Sequence, residues 1–138
     1  MPARRYKLIA HTADTGLVAY GSSLTESFAN AAYGLFAIIA ELRRVREMEA
    51  RTVAVKAADI EELLFNWLNH LIYLFDVEHV LLKSFDITGL TEKRLSATCW
   101  GETYDPARHR LKTGVKSATY HQLKVDREKN RVQVIFDI

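Results

Sequence analysis

The 138-residue sequence has a single cysteine, Cys99, which excludes an intrachain disulfide and any cysteine-based metal cluster. No apolar run is long enough to span a bilayer. The first residues, MPARRYKLIAHTAD, carry charge and a very short apolar run before meeting Asp14, which is unlike a secretory signal. Net charge is almost absent, since 19 basic and 17 acidic residues leave +2. A duplex-binding domain usually shows a larger basic excess, so a nucleic-acid role needs a local patch. Repeats, low-complexity tracts and linkers are missing, as are the motifs GxxxxGKS/T, GxGxxG, HExxH and GxSxG. Cys99 lies beside Trp100 in a strand pattern and reads as a small core residue, not a nucleophile. A self-contained catalytic machine is hard to assemble from what remains. A cytoplasmic protein fits these absences.

Apolar residues make up 49% of the chain, enough for a real core, and the length predicts one domain over 1–138. Tyr6 to Ala10 and Leu17 to Gly21 read as strands of a hairpin, with Ala13 to Gly16 as its turn. Ser23 and Glu26 form a capping box. Apolar residues at 24, 28, 31, 35, 38, 39 and 42 then predict a helix ending near Glu41 to Arg44, its arginines facing the negative end of the dipole. Gly34 inside that helix costs roughly 1 kcal/mol relative to alanine and points to close packing. Thr52 to Lys56 alternates as a strand. Asp59 and Glu62 repeat the capping logic ahead of a broad apolar stripe from Ile60 to Phe75. Val80 to Thr88, Leu95 to Gly101, Val115 to Val125 and Arg131 to Ile138 read as further strands, with a long loop, TYDPARHRLKTG, at 103 to 114. The expected fold is α+β: a two-layer arrangement of about seven mostly antiparallel strands in one sheet, with two helices on one face.

The end of the sequence, RVQVIFDI, stays strand-like to its last residue. Val132, Val134, Phe136 and Ile138 share one face; Arg131, Gln133, Ile135 and Asp137 share the other. A terminus held in a sheet makes the Ile138 carboxylate a usable ligand beside Asp137. If this strand pairs near the first hairpin, Asp14, Asp137 and Ile138 converge, and such carboxylates repel unless a cation neutralises them. Oxygen-only ligands favour Ca²⁺ or Mg²⁺ over zinc. The plainer readings are an Asx-turn for Asp14 and a solvated edge for Asp137.

His11 is either a hydrogen-bonded side chain at a strand end or a metal or catalytic group. His70 and His79 have no partner at ligand spacing. His121 alternates with Leu123 and Val125, which predicts a partly buried histidine. Arg108, His109, Arg110, Lys112 and Lys116 form the one local basic cluster, suited to phosphates or an acidic partner, or simply a solvated loop.

Five stretches in order, HTADTGLVAYG, SSLTESFANAAYGLF, DIEELLFNWLNHLIYLFD, GETYDPARHRLKTGVKSATYHQL and VQVIFDI, resemble the archease family from residue 6 to 138. The resemblance implies a protein cofactor of the RtcB-type tRNA-splicing ligase. Such a protein promotes guanylylation of the ligase's active-site histidine, permits multiple turnover and broadens nucleotide use. It is an activator, not an enzyme, and meets tRNA or nucleotide only indirectly. By the same resemblance Asp14, Asp137 and Ile138 hold a divalent cation, with Ca²⁺ favoured over Mg²⁺. Lys112 and Lys116 match the family pattern and, with His11, are the expected contacts to the ligase or its nucleotide site. The family's fold was once compared to a heat-shock chaperone. Thr15 departs from a commonly aliphatic position. Gly114 stands where an acid often follows the KT pair, which bears on partner choice if that acid touches the ligase. The alternatives are a metal-dependent phosphohydrolase built on the same carboxylates and an RNA-binding or chaperone module leaning on the basic loop and a pI near 8.7.

Overall fold

The last strand sets the architecture. A computed structural model of the chain describes residues 4–10 and 14–138, the Ala10 side chain excepted. In it β7 (Arg131–Asp137) lies between β2 (Asp14–Tyr20) and β6 (Ser117–Asp126), and β1 (Tyr6–Ala10) completes a four-stranded antiparallel sheet in the order β1-β2-β7-β6. The remaining strands, β3 (Glu49–Lys56), β4 (Val80–Leu90) and β5 (Arg94–Thr103), form a second antiparallel sheet in the order β3-β5-β4. The α+β class and the strand number are as expected, but the strands divide between two sheets instead of forming one. The helices α1 (Leu24–Ile39) and α2 (Ile60–Glu78) explain how two sheets share a core. Helix α1 packs on β2 of one sheet and β4 of the other, while α2 packs on β6 and β3. One hydrophobic core results, centred on Trp67, Phe28, Phe36 and Phe136, all fully buried.

Local chemistry starts both helices where the sequence places them. The Ser23 hydroxyl accepts the Glu26 N–H at 3.1 Å, and the Asp59 carboxylate accepts the Glu62 N–H at 2.8 Å. Glu26 reaches back to the Ser22 N–H at 3.0 Å, closing the first box one residue early. The two helices are tied together by the Trp67 indole, which donates to the Phe28 carbonyl at 3.1 Å inside the core. Gly34 now has a reason. A Cβ there would sit 2.8 Å from Leu17 Cδ1 and 3.1 Å from the Tyr6 ring, so the glycine lets α1 lie close on β2 and β1.

Helix α1 ends earlier than its apolar spacing predicts. It stops at Ile39, and Leu42–Arg44 form a separate 3-10 turn. Its last turn holds no basic residue, so Arg43 and Arg44 do not cap it. The cap comes from far along the chain: Lys112 Nζ donates to the Ala37 carbonyl at 2.9 Å, and the Lys112 N–H to the Ile39 carbonyl at 2.7 Å. His121 also departs from expectation, being exposed. The β6–β7 register slips between Thr119 and Lys124, and Gln122 takes a left-handed φ of 54°, so the alternation that would have turned His121 inward is broken.

No helix among the described residues is long and apolar enough to cross a membrane.

Candidate functional site

Asp14 is a strand residue, not a turn residue: it opens β2 and stands directly opposite Asp137 of β7. Directly opposed residues of an antiparallel pair point to one face, with Cβ atoms about 4.5–5.5 Å apart. On that face the register continues with Gly16 opposite Ile135, Val18 opposite Gln133 and Tyr20 opposite Arg131, whose guanidinium lies 5.4 Å from the Tyr20 ring centre. The intervening residues, Leu17, Ala19, Val132, Val134 and Phe136, fill the core on the other side. Ile135 is also buried, although it shares Asp137's face. The two aspartates are therefore held at one end of the sheet by a ladder whose register the core fixes.

A third strand joins them there. Ser117 of β6 is the partner of Asp137, and the Lys116 N–H donates to the Asp137 carbonyl at 2.8 Å. Helix α2 anchors this corner, since Asn69 Oδ1 accepts the Ala118 N–H at 2.8 Å and Phe65 stacks on Tyr120 at 4.1 Å between ring centres. The structure thus brings Asp14, Asp137 and Lys116 to one sheet end. Ile138 follows Asp137 and is 38% exposed. His11 lies outside the described residues. Among the described residues no group of three or more His, Cys, Asp or Glu side chains gathers at metal-binding distance. Among the described residues the side-chain donors at this sheet end are the Asp14 and Asp137 carboxylates, whose oxygens suit a hard divalent cation far better than zinc or copper.

The basic loop does not act as a single patch. Lys112 is engaged at the end of α1, as described above. Arg108, which is partly exposed, and His109, which is buried, turn onto the buried Glu102 of β5. His109 Nδ1 accepts the Asp105 N–H at 2.8 Å, so its proton sits on Nε2 and is donated to Glu102 Oε1 at 2.5 Å. Burial alone would raise the Glu102 carboxyl; the hydrogen bonds from Arg108 and His109 and the charge of Arg108 outweigh it and hold the group below the ordinary glutamate range. This buried acid is a feature that sequence reading misses, since GET at 101–103 looks like any strand end. Asp105 starts the short turn at Pro106, accepting the Ala107 N–H at 3.0 Å. Gly114 stands in open space: a Cβ added to it would meet nothing within 4 Å, so the fold itself does not require a glycine there.

The other candidates settle as structural groups. Burial pushes the Cys99 thiol up to about 12, so it is no nucleophile at neutral pH. Burial lowers the His70 imidazole, against a raising contribution from Glu78, and the ring stacks on Tyr73. His79 ends α2 in a left-handed conformation with φ 58°.

Comparison with known proteins agrees with this architecture. Residues 6–138 match the Archease protein family. The protein archease of Sulfurisphaera tokodaii is 36% identical over 129 residues, 92% of each chain. The solution structure of Methanobacterium thermoautotrophicum protein 1598 superposes with a TM-score of 0.77 at 29% identity, covering 97% of this chain and 99% of that one. The crystal structure of an archease, described as a possible chaperone, from Thermotoga maritima shares the fold with a TM-score of 0.63 at 21% identity, covering 100% and 99%. By sequence over nearly its whole length, and by a fold that the similar structures share, this chain belongs to the archease family.

Proposed function

We propose that this archease is a protein cofactor of an RtcB-type tRNA-splicing ligase, working in the cytoplasm and promoting guanylylation and repeated turnover of the ligase without being an enzyme itself. The observation that carries the reading is the register of Asp14 opposite Asp137, with Lys116 hydrogen-bonded at the same corner. Like charges directly opposed across a strand pair disfavour that pairing. A divalent cation held by Asp14, Asp137 and the carboxylate of Ile138 removes the conflict. Ca²⁺ is favoured over Mg²⁺, because it tolerates irregular oxygen geometry on a site open to solvent. Such an ion supplies positive charge and open coordination positions for phosphate oxygens. The chain's own part is to fix the two carboxylates by sheet register and to hold the Lys116 backbone at the same corner. Lys112 is set apart from this role, because its ammonium already serves α1.

The test is ligase guanylylation measured with wild-type protein and with folded Asp14→Ala, Asp137→Ala and Lys116→Ala variants. Stimulation is expected to fall at least tenfold for each aspartate variant and by less for Lys116→Ala. Full stimulation by both aspartate variants would overturn the proposal. Metal-dependent hydrolysis of nucleotides by the archease alone would instead favour the phosphohydrolase reading.

A further inference from the structure

A second charged feature lies away from the aspartate pair. Among the described residues Arg43 and Arg44 of the 3-10 turn, Arg46 just after it, and Ala107 and Arg108 of the 103–116 loop line one surface depression of about 340 Å³. The backbone brings them together: Ala40 bridges to Leu111, and the Glu41 N–H donates to the Arg110 carbonyl at 3.0 Å. Counter-charge is short. Glu41 is shared by Arg43 at 3.7 Å and Arg44 at 3.2 Å, while Glu102 and Asp105 are both committed to Arg108. No ion pair to Arg46 is found among the described residues. Arg43 and Arg44 share the one Glu41 carboxylate and still keep 78% and 52% of their side-chain surface in solvent, within reach of an incoming anion.

We infer that this depression binds the phosphodiester backbone of single-stranded RNA. Guanidinium forks match phosphate oxygens in geometry and charge. Among the described residues the lining holds no aromatic or large apolar side chain. A nucleotide base therefore has no aromatic ring there to stack on. A protein partner lacks the apolar anchor on which an interface depends. What remains to be read is a line of negative charge, and the arginines are spread over two chain segments as a strand backbone requires. The contact is electrostatic and independent of sequence. The inference does not rest on the ligase reading, since its residues and its ligand are different.

The experiment is fluorescence anisotropy of a labelled oligouridylate of about 12 nucleotides, titrated with the full chain at salt concentrations from about 25 to 200 mM. Neutralising about three phosphates predicts a log–log salt slope near −2. The variant Arg43→Gln/Arg44→Gln/Arg46→Gln removes the same charge as the control Lys124→Gln/Arg127→Gln/Lys129→Gln in β6 and the β6–β7 turn. The patch variant is expected to lose at least tenfold in affinity and the control less than threefold. If the triple patch variant unfolds, the single Arg46→Gln substitution carries the test, with a slope smaller by about 0.7. Equal losses in both triple variants would show a net-charge effect and overturn the inference. No binding at the lowest salt would do the same, as would polyglutamate or GTP competing as well as unlabelled RNA. This outcome separates cleanly from the guanylylation assay, because the patch variants leave Asp14, Asp137 and Lys116 untouched.

Discussion

Replacing Gly101 by alanine tests the packing of β5, the strand from which Glu102 and the 103–116 loop depart. Gly101 is buried in the central strand of the second sheet, opposite Leu82 on one side and Glu49 on the other. A Cβ on it would lie 1.8 Å from the Leu81 carbonyl oxygen, 2.7 Å from the Leu81 carbonyl carbon and 2.8 Å from Leu82 Cα. All three are backbone atoms, so no side-chain rotation relieves the clash. The close approach sits beside the register slip between Leu82 and Ser84, where the bulge bends β4 onto β5. Reaching an ordinary contact requires a displacement of about 1.5 Å, against a normal strand spacing of about 4.8 Å. Two or three ladder hydrogen bonds would be lost or stretched in a buried sheet, a cost of about 3–5 kcal/mol. For a chain of this length the unfolding entropy is about 0.29 kcal/mol/K, so Tm should fall by about 10–17 °C. Thermal melts followed by far-UV circular dichroism measure this. Gly89→Ala is the control, because the nearest atom to its added Cβ is 4.0 Å away. A Gly101→Ala melt within about 3 °C of wild type would refute the close approach.

Two further perturbations probe how the 103–116 loop is fastened. Lys112→Met removes the ammonium from the Ala37 carbonyl, which should cost about 0.3–1 kcal/mol and speed amide exchange in the last turn of α1 alone; unchanged exchange there would show that the lysine does not cap the helix. The Glu102 carboxyl is held below its unfolded-state value, so its contribution to stability is present above the ordinary glutamate range and is lost as pH falls through the folded value. Glu102→Gln should therefore be less stable than wild type at neutral pH, with the difference in urea midpoint closing as pH falls below the ordinary glutamate range; a constant difference across that range would contradict the ion-pair account.

Sequence reading reaches the parts of this fold that are coded locally. Ser23 with Glu26 and Asp59 with Glu62 announce helix starts, because a cap needs only neighbours within one turn. The alternation of β7 foretells its buried face, and the apolar run of α2 foretells Trp67 at the centre. Sequence reading can only pose the pairing of the last strand beside Asp14 as a condition, and in the structure the two aspartates stand opposite each other. What stays hidden depends on partners distant in the chain. Nothing near Ile39 says that Lys112 will cap α1, so proximity points to Arg43 and Arg44 instead. Nothing in the strand patterns says that β3, β4 and β5 will leave the other four strands for a sheet of their own. Simple alternation misplaces His121, because a bulge and the positive φ at Gln122 defeat it. The basic loop looks uniform in sequence, while its side chains divide between a buried acid, a helix end and solvent.

The fastening of residues 103–116 has a mechanical meaning. This stretch is the covalent crossing from β5 in the three-stranded sheet to β6 in the four-stranded one. Because Glu102 grips it at its start and the end of α1 grips it again at Leu111 and Lys112, it works as a strut, not a slack tether. A pull on either sheet is passed to the other through a side-chain clasp and a helix. Lengthening the segment before Leu111 would change the tension in that strut and shift the corner where Lys116 meets Asp137.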